Sequence, residues 1–146
     1  MSETQQDVEG VLATIIESGS TNTCAYNVLI HNDGRATAEI RGTLDPMVER
    51  REFPPGSIDT KTLRSLLTAI GDVSKIPTAF CPKPVSLGTT TTISYEGKTS
   101  GDLQCVQQQA SGGDPALLQA SQDLAKSVLT TRNQLKIDAR RVIPNQ

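Results

Sequence analysis

The sequence predicts an α+β domain in which an antiparallel sheet of about five strands carries two helices packed on one face. Apolar and polar residues alternate on both sides of Asn32-Asp33-Gly34, which indicates a β-hairpin, and a second hairpin is predicted around Glu96-Gly97. Apolar residues recur at helical spacing over residues 60–70 and 116–129. Because strands come first and helices are few, we expect both helices to cover the same side of the sheet.

The first hairpin has the most specific local signals. A β-branched run, Val11–Glu17, is predicted as a strand that ends at the turn-forming cluster Ser18–Thr23. Two alternating segments follow, Tyr26–Ile30 and Ala36–Ile40. Asp33-Gly34 between them supplies the positive φ angles that a tight hairpin turn needs. The pattern therefore predicts a long first strand and then a tightly joined antiparallel pair.

An edge strand and the first helix are predicted next. Glu49–Phe53 is a charged segment, and charges on an edge strand resist pairing with another chain. Asp59 is a typical N-cap and Gly71 a typical stop, which bounds a helix over residues 60–70. Its four large apolar side chains are expected to pack on the sheet: Leu63, Leu66, Leu67 and Ile70.

The three cysteines suggest one disulfide. Prolines prevent regular structure around the rigid segment Phe80-Cys81-Pro82, and a hairpin formed by residues 88–95 and 98–105 follows it. Since Cys81 and Cys105 bracket this hairpin, we predict a bond between them, worth about 3 kcal/mol in the chain-entropy model. Cys24, in a distant turn, is interpreted as the odd cysteine.

The second helix closes the predicted fold. Asp114 is an N-cap and Pro115 suits the first helical position, so a helix is expected over residues 116–129. The tail Arg132–Gln146 has a mixed pattern, and we expect partial disorder there. The whole chain, residues 1–146, is thus predicted to be one domain with an ordered core of about residues 8–130.

Composition excludes several classes of function. The chain of 146 residues has a formal net charge of −2 with both signs scattered, so no nucleic-acid partner is expected. Its longest apolar runs are too short to span a bilayer, so no membrane span is expected. The polar start Met1–Gln6 lacks a signal-peptide pattern, which fits either a cytoplasmic protein or one whose leader has been removed. The expected disulfide favours a periplasmic or secreted location.

Several segments together resemble a family of small exported bacterial domains of unknown function. The resemblance covers about residues 10–130 and rests on turns and core positions: residues 18–23 (SGSTNT), Tyr26, Ile30, Asp33-Gly34, residues 63–70 (LRSLLTAI), residues 76–81 (IPTAFC) and residues 102–105 (DLQC). It implies an export leader and brings no particular activity with it.

Candidate chemistry in the sequence is sparse. His31 is the only histidine, and a nucleophilic pair would need it beside a serine or Cys24. No nucleophile-elbow, zinc-finger or P-loop pattern surrounds these residues, and Asp33 and Asp102 are best explained as turn residues. We therefore predict no catalytic residue, no metal site and no cofactor.

Two functional hypotheses from different classes remain. The leading one is a non-catalytic exported binding or interaction domain, inhibitor-like, that presents the loops Ser18–Cys24 and Phe80–Gly88 to a protein partner. Its candidate contact residues are Ser18, Ser20, Asn22, Cys24, Lys83 and Ser86. The alternative is a small hydrolase or isomerase that uses Cys24 or His31 in a cleft between sheet and helices. The chain is expected to be a monomer or a Cys24-linked dimer.

Overall fold

A computed structural model describes residues 10–19, 24–41, 48–83, 89–107 and 114–135. The elements in chain order are β1 (Val11–Glu17), β2 (Ala25–His31), β3 (Ala36–Arg41), β4 (Val48–Phe53), α1 (Thr60–Ile70), β5 (Thr91–Tyr95), β6 (Lys98–Thr99) and α2 (Pro115–Leu135). The strands form one antiparallel sheet in the order β4-β3-β2-β1-β5-β6. The predicted α+β fold is confirmed, with six strands where about five were expected.

The β2–β3 hairpin is confirmed with a different turn from the one predicted. Val28 lies opposite Ala38, and Ile30 lies opposite Ala36. Only Gly34 in the turn has a positive φ, at 95°, and its N–H donates to the His31 carbonyl at 3.0 Å. This is a three-residue loop closed by a left-handed glycine, so Asp33 does not need the positive φ expected for it.

The second hairpin is shorter than predicted. Glu96 and Gly97 both have positive φ and join β5 to β6, as their turn signal indicates. β6 then ends at Thr99, and a short 3-10 turn covers Leu103–Cys105. The Asp102 carboxylate accepts a hydrogen bond from the Gln104 N–H at 3.0 Å, which caps that turn. The strand expected over residues 98–105 is therefore wrong beyond Thr99.

Helix α1 has the predicted bounds. The Asp59 carboxylate accepts hydrogen bonds from the Thr62 N–H at 3.1 Å and the Thr62 hydroxyl at 2.7 Å. Gly71 ends the helix with φ 77°, and its N–H donates to the Leu67 carbonyl at 2.8 Å. Leu63 and Leu67 are buried, as the helical spacing predicts.

Helix α2 begins as predicted and continues further. Pro115 is its first residue, and the Asp114 carboxylate accepts from the Ala116 N–H at 2.9 Å. The helix reaches Leu135, because Thr131 and Leu135 extend the buried stripe past the expected end. Partial disorder was predicted for residues 132–146; residues 132–135 are helical, and the later residues lie outside the described part of the chain.

One face of the sheet packs against both helices. The largest fully buried apolar side chains come from both layers: Tyr26, Ile15, Ile30, Ile93, Val28, Leu63, Leu67, Leu124 and Val128. The other sheet face carries residues such as Asn27, Thr37 and Glu39, as the alternation along each strand requires. Within the described ranges, neither helix combines the length and apolar character that crossing a membrane requires.

Candidate functional site

The candidate site is a short segment, residues 77–83, that runs beside residues 105–107 and is exposed at residues 79, 80 and 82. The Ala79 N–H donates to the Cys105 carbonyl at 3.0 Å, and the Gln107 N–H donates to the Pro77 carbonyl at 3.1 Å. Thr78 and Val106 form an antiparallel bridge between these two bonds. The segment therefore has a fixed backbone although it belongs to no strand of the sheet.

A disulfide fixes the segment immediately after these hydrogen bonds. Cys81 and Cys105 are bonded, as predicted, with their Cα atoms 5.6 Å apart. Cys105 thus anchors the segment twice, through its carbonyl to Ala79 and through its sulfur to Cys81. These anchors lie on the two sides of Phe80, so they hold the backbone from which the Phe80 side chain projects.

Phe80 is the most exposed large apolar residue in the described part of the chain. Its side chain is on the surface with 90% exposure, and the next most exposed large apolar residue, Leu129 on α2, reaches 37%. Burial of a phenylalanine side chain contributes roughly 1.5–3 kcal/mol. The exposed ring does not contribute this stabilisation in the isolated chain. Its burial in an apolar pocket of a partner would stabilise the complex by that amount.

Lys83, one of the predicted loop contacts, forms bonds within the domain. Its ammonium group donates to the Asp102 carboxylate and, at 2.5 Å, to the Thr89 carbonyl. The other Asp102 oxygen accepts from the Thr91 N–H at 3.1 Å. Lys83 therefore ties the end of the Phe80 segment to the start of β5, and its charge is neutralised by Asp102.

Cys81, Asp102 and Cys105 bring three potential metal-ligand atoms within 4.8 Å of one another. Metal binding by cysteine needs the thiolate. Both sulfurs are engaged in the disulfide, so neither is a thiolate in this form of the protein. The cluster braces the Phe80 segment.

The first predicted interaction loop is only partly described. Ser18 is exposed, but its hydroxyl oxygen accepts from the Thr90 N–H at 2.9 Å, and its own N–H donates to the Thr90 carbonyl at 3.0 Å. These bonds extend the β1–β5 pairing. Ser20 and Asn22, and Ser86 of the second loop, lie outside the described residues.

Cys24 lies in the core instead of in an exposed loop. It is 3% exposed and belongs to the buried apolar cluster. Contact with a partner, or a disulfide to a second copy, needs a sulfur at the surface, which the folded chain does not offer at this position. The Cys24 contact and the Cys24-linked dimer both conflict with this burial.

Cys24 and His31 do not form one site. Cys24 directly precedes β2 and His31 is its last residue, so the two are seven positions apart along extended chain, about 23 Å. His31 Nε2 instead lies 2.9 Å from the Thr37 hydroxyl, which donates to Glu52 at 2.9 Å. Because that hydroxyl has one hydrogen, His31 must be the donor to it, which is the reverse of a general base accepting a nucleophile's proton.

A concavity of about 350 Å³ lies beside β2, β3 and β4 and is lined by Ala25, Tyr26, Asn27, Glu39, Arg41 and Arg50. Arg50 is near Glu39, at 4.0 Å, and forms a closer ion pair with Glu52, at 3.3 Å. These side chains are well exposed, and ion pairs of this kind contribute little. The concavity is a weaker candidate than the Phe80 segment because two of its charged residues, Glu39 and Arg50, already form ion pairs.

A buried ion pair, which was not predicted from the sequence, joins the first strand to the second helix. Arg132 of α2 donates to the Glu17 carboxylate of β1 at 2.5 Å, and the Thr91 hydroxyl also donates to that carboxylate. Burial and the neighbouring Glu17 charge raise the pKa of Tyr26 above its ordinary value. Ala13, Ile15 and Glu17 are alternate residues of β1, so their side chains lie on the same face of the sheet. This alternation is the sequence signal that predicts a buried Glu17 carboxylate.

The whole chain was compared with protein families and curated proteins. A scan against protein-family models found no match to this chain, and a search of the curated proteins found no match either. The functional argument therefore depends on the geometry of the segment.

Proposed function

We propose that this chain is a non-catalytic binding domain that presents Phe80 to a protein partner. The observation that carries the proposal is the 90% exposure of an aromatic side chain on a backbone that is anchored on both sides. Aromatic residues dominate the binding energy of protein interfaces, and they do so best from a fixed position. The leading sequence hypothesis is retained, but its contact residue becomes Phe80.

The anchors reduce the entropic cost of binding. A flexible loop loses conformational freedom when a partner immobilises it, and that loss subtracts from affinity. Here the Ala79 hydrogen bond and the Cys81–Cys105 bond fix the backbone before a partner arrives. Phenylalanine itself has only two side-chain torsions to order. The segment is thus suited to insert one ring into an apolar pocket.

The disulfide supports an exported location within this proposal. Disulfides persist in the periplasm and outside the cell and are rare in the cytosol. A periplasmic or secreted partner is therefore the kind of protein that Phe80 would meet.

The test is capture of a partner on the immobilised, oxidised chain from the periplasmic fraction and culture medium of the source cells. We expect a protein that the wild-type chain retains saturably and that Phe80→Ala loses. Leu129→Ala is the matched control, because Leu129 is the second exposed large apolar residue and lies on α2, outside the Phe80 segment.

Equal retention by the wild type and Phe80→Ala would contradict the proposal, as would the absence of any saturably retained protein. Because the Phe80 side chain has few contacts to lose, Phe80→Ala should change the unfolding free energy by less than about 0.5 kcal/mol. A melting curve on each variant separates loss of binding from loss of folding.

A further inference from the structure

We infer that the Phe80–Cys81 peptide bond is a substrate-like bait for a serine endopeptidase with a large apolar specificity pocket, and that the chain inhibits such an enzyme. This inference rests on the proposed function and names the class of its partner. Endopeptidases of this class choose the bond to cleave by the side chain immediately before it. Phe80 offers that side chain fully to solvent.

The local surface leaves the bond accessible. Ala79 and Pro82, which flank the bond's own residues, are exposed together with Phe80. Pro82 also fixes its own φ and so limits the paths that the chain can take after the bond. The Phe80 carbonyl carbon, which an enzyme would attack, therefore lies in an exposed stretch of the chain.

The chemical step is ordinary acyl transfer. The enzyme's serine oxygen bonds to the Phe80 carbonyl carbon, and the bond from that carbon to the Cys81 nitrogen breaks. The serine proton passes through the enzyme's histidine to that nitrogen, which becomes a free amine. In the reverse step this amine attacks the ester, restores the peptide bond and returns a proton to the serine oxygen.

The anchors favour the reverse step. After cleavage, the new amine at Cys81 is still bonded through its disulfide to Cys105, and Ala79 still donates to the Cys105 carbonyl. Both new ends are therefore held on one residue, and the amine remains at a high effective concentration beside the acyl group. Water must compete with this tethered amine, so hydrolysis and release are slow and the enzyme stays occupied.

The experiment measures inhibition of chymotrypsin, which is the probe enzyme, by the oxidised full chain. We expect the inhibition to persist after long incubation of the chain with a small amount of enzyme. We also expect one slow cleavage, between residues 80 and 81. Phe80→Ala should weaken inhibition by about 100-fold or more, and Phe80→Lys should transfer inhibition to trypsin. The variant Cys81→Ser/Cys105→Ser should be digested as a substrate, with its folding checked by circular dichroism.

No inhibition of chymotrypsin by the wild-type chain, or rapid digestion at several bonds, would overturn the inference. Failure of Phe80→Lys to inhibit trypsin would also overturn it. Because this variant keeps the Cys81–Cys105 disulfide, its result can be interpreted without concern about the loss of that bond. Capture of a partner that requires Phe80, together with no inhibition, would leave the proposed binding function standing and remove only its protease assignment. If the chain neither captures a partner that requires Phe80 nor inhibits chymotrypsin, both the binding function and the protease assignment are contradicted.

Discussion

Arg132 in the last turns of α2 donates to the Glu17 carboxylate at the end of β1, with Arg132 Nη1 2.5 Å from Glu17 Oε2. The Glu17 side chain is only 2% exposed, while that of Arg132 is 28% exposed. A carboxylate in such a place is tolerated because a cation and the Thr91 hydroxyl satisfy it. The pair therefore links the second helix to a strand at the centre of the sheet.

Replacement of Arg132 by methionine should be strongly destabilising. It would leave the Glu17 carboxylate buried without its cation, and breaking a buried pair in this way costs about 3 kcal/mol. Urea denaturation of Arg132→Met measures the loss. The double variant Glu17→Gln/Arg132→Met removes both charges and should recover much of it, so equal losses in the two variants would contradict this account.

The disulfide should contribute about 3 kcal/mol to stability, because Cys81 and Cys105 are 24 residues apart in sequence. Cys81→Ala/Cys105→Ala should lower the urea midpoint by the corresponding amount. Hydrogen exchange of the Ala79 amide should also become faster in this variant, since the disulfide holds its acceptor in place. An unchanged exchange rate at Ala79 would show that the segment is fixed without the bond.

The Cys24 thiol should react slowly with a thiol reagent in the folded, oxidised chain and at full rate in urea. Its burial predicts this behaviour, because the reagent must reach the sulfur. Ellman's reagent gives the rate, and non-reducing electrophoresis should show a monomer. Fast labelling of the folded chain would support the hypothesis of an enzyme that uses the Cys24 thiol. A dimer that dissociates when reducing agent is added would support the Cys24-linked dimer.

The cap of α1 should make stability depend on pH. Hydrogen bonds from the Thr62 hydroxyl and N–H lower the pKa of Asp59 in the folded state. A depressed pKa gives a contribution that is present above the unfolded pKa, about 3.9, and is lost as pH falls through the folded pKa. Asp59→Ala should therefore be less stable than the wild type near neutral pH, and the difference should shrink in acid.

Asp59→Asn is the control for this prediction. Asparagine can still cap the helix but does not titrate in this range. Urea midpoints across the acid range should therefore show a smaller pH dependence for Asp59→Asn than for the wild type. Parallel curves for all three proteins would contradict the assigned role of the carboxylate.

Parts of the fold that depend on local patterns could be predicted from the sequence. The bounds of α1 follow from Asp59, the apolar spacing and Gly71, which all lie in one short stretch of sequence. The length of α2 and the end of β6 could not be predicted in this way, because contacts with residues distant in the sequence determine where these elements end. Arg132 continues the helix to reach Glu17, and Asp102, which caps the turn after β6, is positioned by Lys83 from an earlier segment.

The predicted contact residues of the candidate site stay predictions, and the structure adds the exposure of Phe80 to them. The sequence predicts an interaction loop over Phe80–Gly88, braced by the disulfide, with Lys83 and Ser86 as its contact residues. The structure directs that charge inward to Asp102 and exposes the ring of Phe80. Pattern reasoning assigns phenylalanine to the core by default, so exposure of this one could not be anticipated without the backbone.

In the proposed function, Phe80 supplies most of the binding energy of this domain. The most direct measurement is the dissociation constant of the captured partner for the wild type, Phe80→Ala and Leu129→Ala, by titration calorimetry. We predict that Phe80→Ala weakens binding by about 30-fold or more while Leu129→Ala leaves it unchanged. Equal dissociation constants for the wild type and Phe80→Ala would contradict the account.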